Sequence, residues 1–321
     1  MKGLMEQLKK AEFVKIECDL RFSEAIDVEL ANLLCLRRAI RSAAKYVLPP
    51  VRGEETAALN RFGRLLEPDL AVDPVARHHH QKCGPAFVFH HDVSCTGKFC
   101  RGDVLTLSAT VWGGNSEIVH DFMRVLQALG KTGLRHDAGR FELVAVRGED
   151  SAQNWQQVWQ ASAPVSSAMI PMRDASWWLN SYMLERSVLE LKFHTPARLL
   201  VKKRPLFKAD FKQIFPFVLR RVTSMLYSHC YLDLDIDIHE LLSVIEQVEV
   251  EINNLAWHDW RELCGDNSCQ PLGGLMGTIN FKGELSQEVL VFLYLGSYMN
   301  LGKNAAFGAG GYWIEPKSSD L

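Results

Sequence analysis

Four glycines, at 302, 308, 310 and 311, fall within ten residues of one another, around Lys303 and Asn304. Glycine at that density lets a backbone approach a ligand closely and turn several N–H groups the same way. The lysine adds a compact point charge suited to a phosphate. The chemistry implied is phosphate binding, with Gly302, Lys303, Asn304, Gly308, Gly310 and Gly311 as the candidate contacts. The order excludes a nucleotide P-loop, because the Gly-Lys pair precedes the glycine cluster and no helix opens after it. The competing reading is a tight helix-to-strand turn.

A second source of phosphate contacts is the run Lys202, Lys203, Arg204, Lys208 and Lys212, part of a stretch (198–221) with eight basic residues against one acid, Asp210. Residues 231–270 reverse that balance, so the formal charge of −2 conceals a basic face backed by an acidic one. Arg38 and Arg41, with Lys45, recur at helical spacing and could line the same path. Two ordinary solvated faces account for the charges equally well.

For proton transfer the sequence offers His78, His79 and His80 beside Arg77. Histidine titrates near neutrality, and three in succession point different ways, so one or two would face a substrate. An exposed polar loop is the plainer reading. Lys45 and Tyr46 form an alternative set. His194 and His258 lie among apolar and aromatic residues and read as core or interface positions. Trp155, Trp159, Trp177 and Trp178 could stack bases, although core packing is the commoner fate of tryptophan.

Eight cysteines in a long chain do not read as a disulfide framework. Cys264 with Cys269, or Cys95 with Cys100 and Cys83, have spacings looser than a structural zinc site wants. Neither a metal nor a cofactor is expected. No zincin pattern, nucleophile elbow or dinucleotide fingerprint occurs. The polar start of the chain and the lack of a long apolar run predict a cytoplasmic protein without a membrane span.

The elements that must position these residues form a repeated order. Residues 12–21 alternate apolar and polar as a half-buried strand does, and 29–48 follow a helical period closed by Pro49 and Pro50. Strands at 85–91 and 103–112, a helix at 116–129 and a strand at 140–147 come next. The second half offers strands at 188–194 and 198–202, a helix at 208–230, strands at 248–256 and 275–282, a helix at 286–299 and a closing strand at 311–315. Two β-α-β-β-α-β orders predict an α+β protein of tandem ferredoxin-like (RRM-like) domains, 1–150 and 186–321, joined by a connecting segment, 151–185.

The C-terminal third resembles the CRISPR repeat-RNA processing endoribonucleases of the RAMP superfamily. The likeness runs through Leu189 to Arg198, Phe211 to Arg221, Leu255 to Trp260, and Gly273 to Gly277. Its specific block is the last, Leu295 to Gly310, with Gly302, Lys303, Asn304, Phe307 and Gly308. The resemblance implies two RRM-like domains with repeat RNA lying on a basic face. It also implies metal-free cleavage by attack of a 2′-hydroxyl on its own phosphate. In that family a histidine near the first helix often acts as base, yet residues 12–60 contain none. The expectation is therefore a guide-RNA maturation endoribonuclease whose partners are repeat RNA and other CRISPR effector subunits. The alternatives are a non-catalytic RNA-binding subunit of an effector complex, and a structural protein whose glycine loop is only a turn.

Overall fold

The computed structural model describes residues 2–48, 60–68, 83–135, 138–182, 189–259 and 273–316. In chain order the first half comprises α1 (Lys2–Leu8), β1 (Glu12–Phe22), β2 (Ile26–Val28), α2 (Leu30–Leu34), α3 (Arg37–Val47), α4 (Arg61–Leu66), β3 (Phe87–His90), β4 (Gly97–Phe99), β5 (Val104–Trp112), α5 (Ser116–Thr132) and β6 (Phe141–Glu149). Then come β7 (Trp155–Gln160), β8 (Arg173–Asp174) and α6 (Ala175–Tyr182). The second half comprises β9 (Leu189–Ala197), β10 (Leu200–Val201), β11 (Arg204–Pro205), α7 (Phe211–Cys230), α8 (Ile238–Glu246), β12 (Val250–Asn253), β13 (Ala256–His258), β14 (Gly274–Phe281), α9 (Gln287–Ser297) and β15 (Tyr312–Pro316).

The strand order decides the architecture. The first sheet runs β3-β5-β1-β6-β7 and the second β12-β14-β9-β15, with antiparallel neighbours throughout. In each sheet the first strand of the repeat lies between the third and the fourth, with the second outside the third. That is the order of a ferredoxin-like fold, and it occurs twice.

Local chemistry sets the elements. β1 alternates buried and partly exposed positions, as a strand with one covered face must. The Asn115 side chain accepts from the Glu117 N–H to start α5, and the helix stops at Gly133, whose φ of +90° favours glycine. A reciprocal pair of bonds between Asp210 and Gln213 opens α7. The helix expected over 29–48 is two helices. Cys35 turns out of helical geometry, its N–H reaching the Asn32 and Leu33 carbonyls, before Arg37 begins α3.

Residues 155–160, expected within a connecting excursion, form β7 and pair with β6, and Arg173–Asp174 pair with β1. The halves also share their cores. Phe13 and Trp112 of the first half pack in one apolar cluster with Phe211 and Phe215 of α7. Ala306 and Phe307 of the second half pack in the other, with Phe87, Phe89 and Phe122. Among the described residues no helix is long and apolar enough to cross a membrane.

Candidate nucleic-acid interface

The glycine loop follows α9 and is held by its own backbone. Leu301 N–H donates to the Gly310 carbonyl at 2.9 Å, Gly310 N–H to Pro196 at 3.0 Å, and Lys303 N–H to Arg198 at 3.0 Å. The Thr195 hydroxyl donates to the Gly308 carbonyl and accepts from the Gly311 N–H, both at 2.7 Å. Phe307 and Gly308 N–H close turns on Asn304 and Ala305. Gly308, Gly310 and Gly311 are buried. Their glycine character is steric: a Cβ at 308 would strike the His91 ring, at 310 the Leu301 backbone, and at 311 the His194 ring. The expectation that these three cradle a phosphate is thus corrected, because their N–H groups are spent inside the fold. Gly302 and Lys303 are exposed and Asn304 half-buried, so the outward tip of the loop is 302–304.

That tip stands beside a basic hairpin. Arg198, whose carbonyl accepts from Lys303, leads into β10 and β11, which pair Leu200 with Pro205 and Val201 with Arg204. Lys202 and Lys203 form the two-residue turn with φ of +49° and +67°, the left-handed pair a tight hairpin needs. Lys202, Lys203, Arg204 and Lys208 are all exposed. Phe207 is exposed as well and packs on Trp257 at 4.7 Å between ring centroids, with the Arg198 guanidinium 5.9 Å from the same indole. Lys212 departs from the expected stripe: its ammonium donates to the Glu246 carbonyl at 2.7 Å and pairs with that carboxylate at 3.4 Å.

On the first half, α2 touches the loop directly, with Ala309 packed on Ala31 and Leu34. Arg38, Lys45 and Tyr46 are exposed on α3, and Arg41 is engaged in an ion pair with Glu67. His78, His79 and His80 lie outside the described residues, as do Cys264 and Cys269. Cys83 and Cys95 are buried in different clusters and Cys100 is exposed, so that trio is not brought together. Among the described residues no group of three potential metal ligands converges.

A cleft of about 410 Å³ that the sequence did not indicate lies where β1 and β5 face β9, β15 and α9. Its walls carry Lys15, His90, Trp155, His194, Tyr298 and Trp313. His194 stacks on Trp313 at 4.1 Å and 17°. The Lys15 ammonium lies 4.2 Å from the Trp178 ring centroid and 2.7 Å from the Glu149 carboxylate. Burial pushes the Lys15 ammonium below its usual range, against the opposing pull of Glu149. Burial likewise pushes His90 down to about 3 and His194 down to about 4, so both are neutral near pH 7. An apolar cleft with ring faces and one ammonium is suited to unpaired bases. Of the four tryptophans considered for stacking, only Trp155 lines this cleft. Trp159 is buried and donates to the Ala163 carbonyl, Trp178 is buried against Phe13, and Trp177 packs on the core. His194 has the interface position expected of it, whereas His258 is exposed on β13.

Comparison with known proteins gives a partial family match and a fold. Residues 191–312 match the family model of the CRISPR-associated endoribonuclease Cas6. No curated protein matches the chain in sequence. A Cas6 product complex superimposes with a TM-score of 0.52 at 14% identity, covering 94% of this chain and 99% of that one. The Cas6 of Thermus thermophilus gives a TM-score of 0.50 at 12% identity, over 95% and 99%. A partial Cas6-RT-Cas1–Cas2 complex gives 0.55 at 13% identity, covering 97% of this chain and 47% of that one. The chain therefore spans about half the length of that last relative. At these identities the solved structures carry the fold, which is the tandem ferredoxin-like arrangement.

Proposed function

We propose that this chain, which has the Cas6 family signature over residues 191–312, is an endoribonuclease that cuts CRISPR repeat RNA to release guide RNAs. The observation that carries the reading is the coincidence of that signature with an exposed basic surface. Lys303 at the loop tip is tied through its own N–H to the root of the hairpin bearing Lys202, Lys203 and Arg204. Six or so phosphate contacts give a large, salt-sensitive share of RNA affinity. The aromatic cleft supplies stacking for unpaired nucleotides.

Cleavage is proposed to proceed by attack of a ribose 2′-hydroxyl on the adjacent phosphate. The P–O2′ bond forms as the P–O5′ bond breaks, the 2′-proton passes to a base, and the leaving 5′-oxygen takes a proton from an acid. The products are a cyclic phosphate and a 5′-hydroxyl. Because the nucleophile belongs to the substrate, the protein need only align it, move two protons and neutralise the phosphate, without a metal. Lys303 and the hairpin are assigned to neutralisation. The base is assigned to His78, His79 or His80, with Lys45 and Tyr46 on the exposed side of α3 as the alternative set.

A second reading, an RNA-binding subunit without catalysis, is favoured by one observation. The helix packed on the glycine loop, α2, and α3 after it bear no histidine. Incubation with repeat RNA in a chelator separates the two readings. Discrete cuts support the first, tight binding of intact RNA supports the second, and absence of salt-dependent binding overturns both.

A further inference from the structure

We propose that Asn300 and His91 are positioning residues for RNA binding: they dock the glycine loop into the first half so that Lys303 stands beside the basic hairpin. The proposal rests on the reading that Lys303 meets an RNA phosphate.

Asn300 sits in the left-handed region at φ +53° and is 1% exposed. Its amide nitrogen donates to the Phe89 carbonyl on β3, in the first half, at 3.0 Å. The same nitrogen donates to the Ala305 carbonyl, within the loop, at 3.1 Å. One side chain thus spans the joint three residues before Lys303. Among the described residues its amide oxygen has no partner.

His91, also 1% exposed, donates from Nε2 to the Phe307 carbonyl at 3.2 Å. Its ring lies against Gly308 so closely that a side chain there would displace it. The Phe307 ring is set edge-on to Phe87 at 5.9 Å, inside the first half's core. The loop is therefore gripped by the first half at 300 and at 307–308, while its tip is bonded to Arg198 at the hairpin root. With both ends fixed, a shift of the grip moves Lys303 relative to Lys202 and Lys203. Lys202 has no such dependence, since its turn is built within β10 and β11.

The test is the salt dependence of binding to fluorescein-labelled oligouridine, read by anisotropy. A lost phosphate contact reduces the slope of log K against log salt by about 0.7, which is roughly a four-fold loss of affinity at 0.15 M salt. Lys303→Ala is expected to show that change. Asn300→Gly, which accepts the backbone angle and deletes the amide, is expected to show the same change with Lys303 still present. The double variant should be no worse than either single one. Lys202→Ala should instead lower binding by its full factor in every background.

An equal further loss on adding Lys303→Ala to Asn300→Gly overturns the proposal while leaving the Lys303 contact intact. No effect of Lys303→Ala in the otherwise unchanged protein overturns the contact itself. His91→Leu provides a second route should Asn300→Gly not fold, and His91→Gln, which keeps a donor, is expected to restore the slope. Failure of His91→Gln to restore a slope lost in His91→Leu counts against the hydrogen bond as the positioning element.

Discussion

Acid should open the joint between the halves at a pH where most domains remain folded. His90, His91, His194 and His229 all lie at or beside that joint, and burial is the leading cause that depresses each of them. Their values fall from 6.5 to about 3 for His90 and to about 4 for the other three. His91 bonds the Phe307 carbonyl and His229 the Gly84 carbonyl, each linking the two halves. A histidine kept neutral in the folded state takes up its proton on unfolding. Its contribution is thus fully present above about pH 6.5 and is lost as pH falls toward 4. Between pH 7.5 and 5 each such group costs up to about 2 kcal/mol of stability, and the four together, with His90 and His194 only half-buried, at most about 8 kcal/mol. Even half that sum is comparable to a typical domain's whole stability of about 5–15 kcal/mol. Urea unfolding followed by tryptophan fluorescence at pH 7.5, 6.5, 5.5 and 5.0 would measure it. The slope should approach several kcal/mol per pH unit near pH 5. His91→Leu should flatten it by about 1.4 kcal/mol per unit, one proton's worth. A stability that changes by less than about 1 kcal/mol over the range would mean that these histidines are not held neutral by burial at the joint, since marginal domains cannot hide such a term.

Two substitutions test the joint and the cleft separately. Phe307→Ala removes a ring that is 3% exposed and packed in the other half's core, and should cost about 3–5 kcal/mol in a denaturation experiment. A cost below about 1 kcal/mol would mean the ring is not a structural plug. Trp313, 42% exposed and stacked on His194, is placed to hold a base. Trp313→Ala should weaken single-stranded RNA binding by about 1–3 kcal/mol in an anisotropy titration while leaving the melting temperature nearly unchanged. Undiminished binding would remove the cleft from the RNA path.

The order of elements was legible because its signals are local. The alternation along β1, the helical periods of α5 and α7 and their Asn115 and Asp210 caps are all set within a few residues. β7 was not legible: Trp155, Gln156 and Gln157 are exposed on a polar edge strand whose only warrant is pairing with β6. The glycine loop was recognised, but its role was only half readable. What makes Gly308, Gly310 and Gly311 necessary are His91, Leu301 and His194, residues set against them by the fold. The cleft escaped for the same reason, since Lys15, His90, His194 and Trp313 come from four strands far apart in the chain. The pairing of Lys212 with Glu246 was not legible, because the partner belongs to another helix.

The sharing of cores divides the loop into a buried part and an exposed tip. Its buried part bonds to Thr195, Pro196 and the first half, and only its tip, Gly302 to Asn304, is left for a ligand. On the proposed function, phosphate recognition would rest on one lysine and a neighbouring hairpin rather than on a cradle of N–H groups. Such an arrangement favours an extended polyanion over a single bound phosphate.

The proposed attack by the substrate's own 2′-hydroxyl can be checked by mapping the ends of the product RNA. Repeat RNA, and the same RNA with a single 2′-deoxynucleotide immediately upstream of the cut, are incubated with the protein in excess EDTA and the product ends are mapped. The all-ribose strand should be cut at discrete sites, leaving a cyclic phosphate and a 5′-hydroxyl, and the deoxy strand should stay intact. Cleavage of the deoxy strand at the same position, or a 5′-phosphate product, would contradict it.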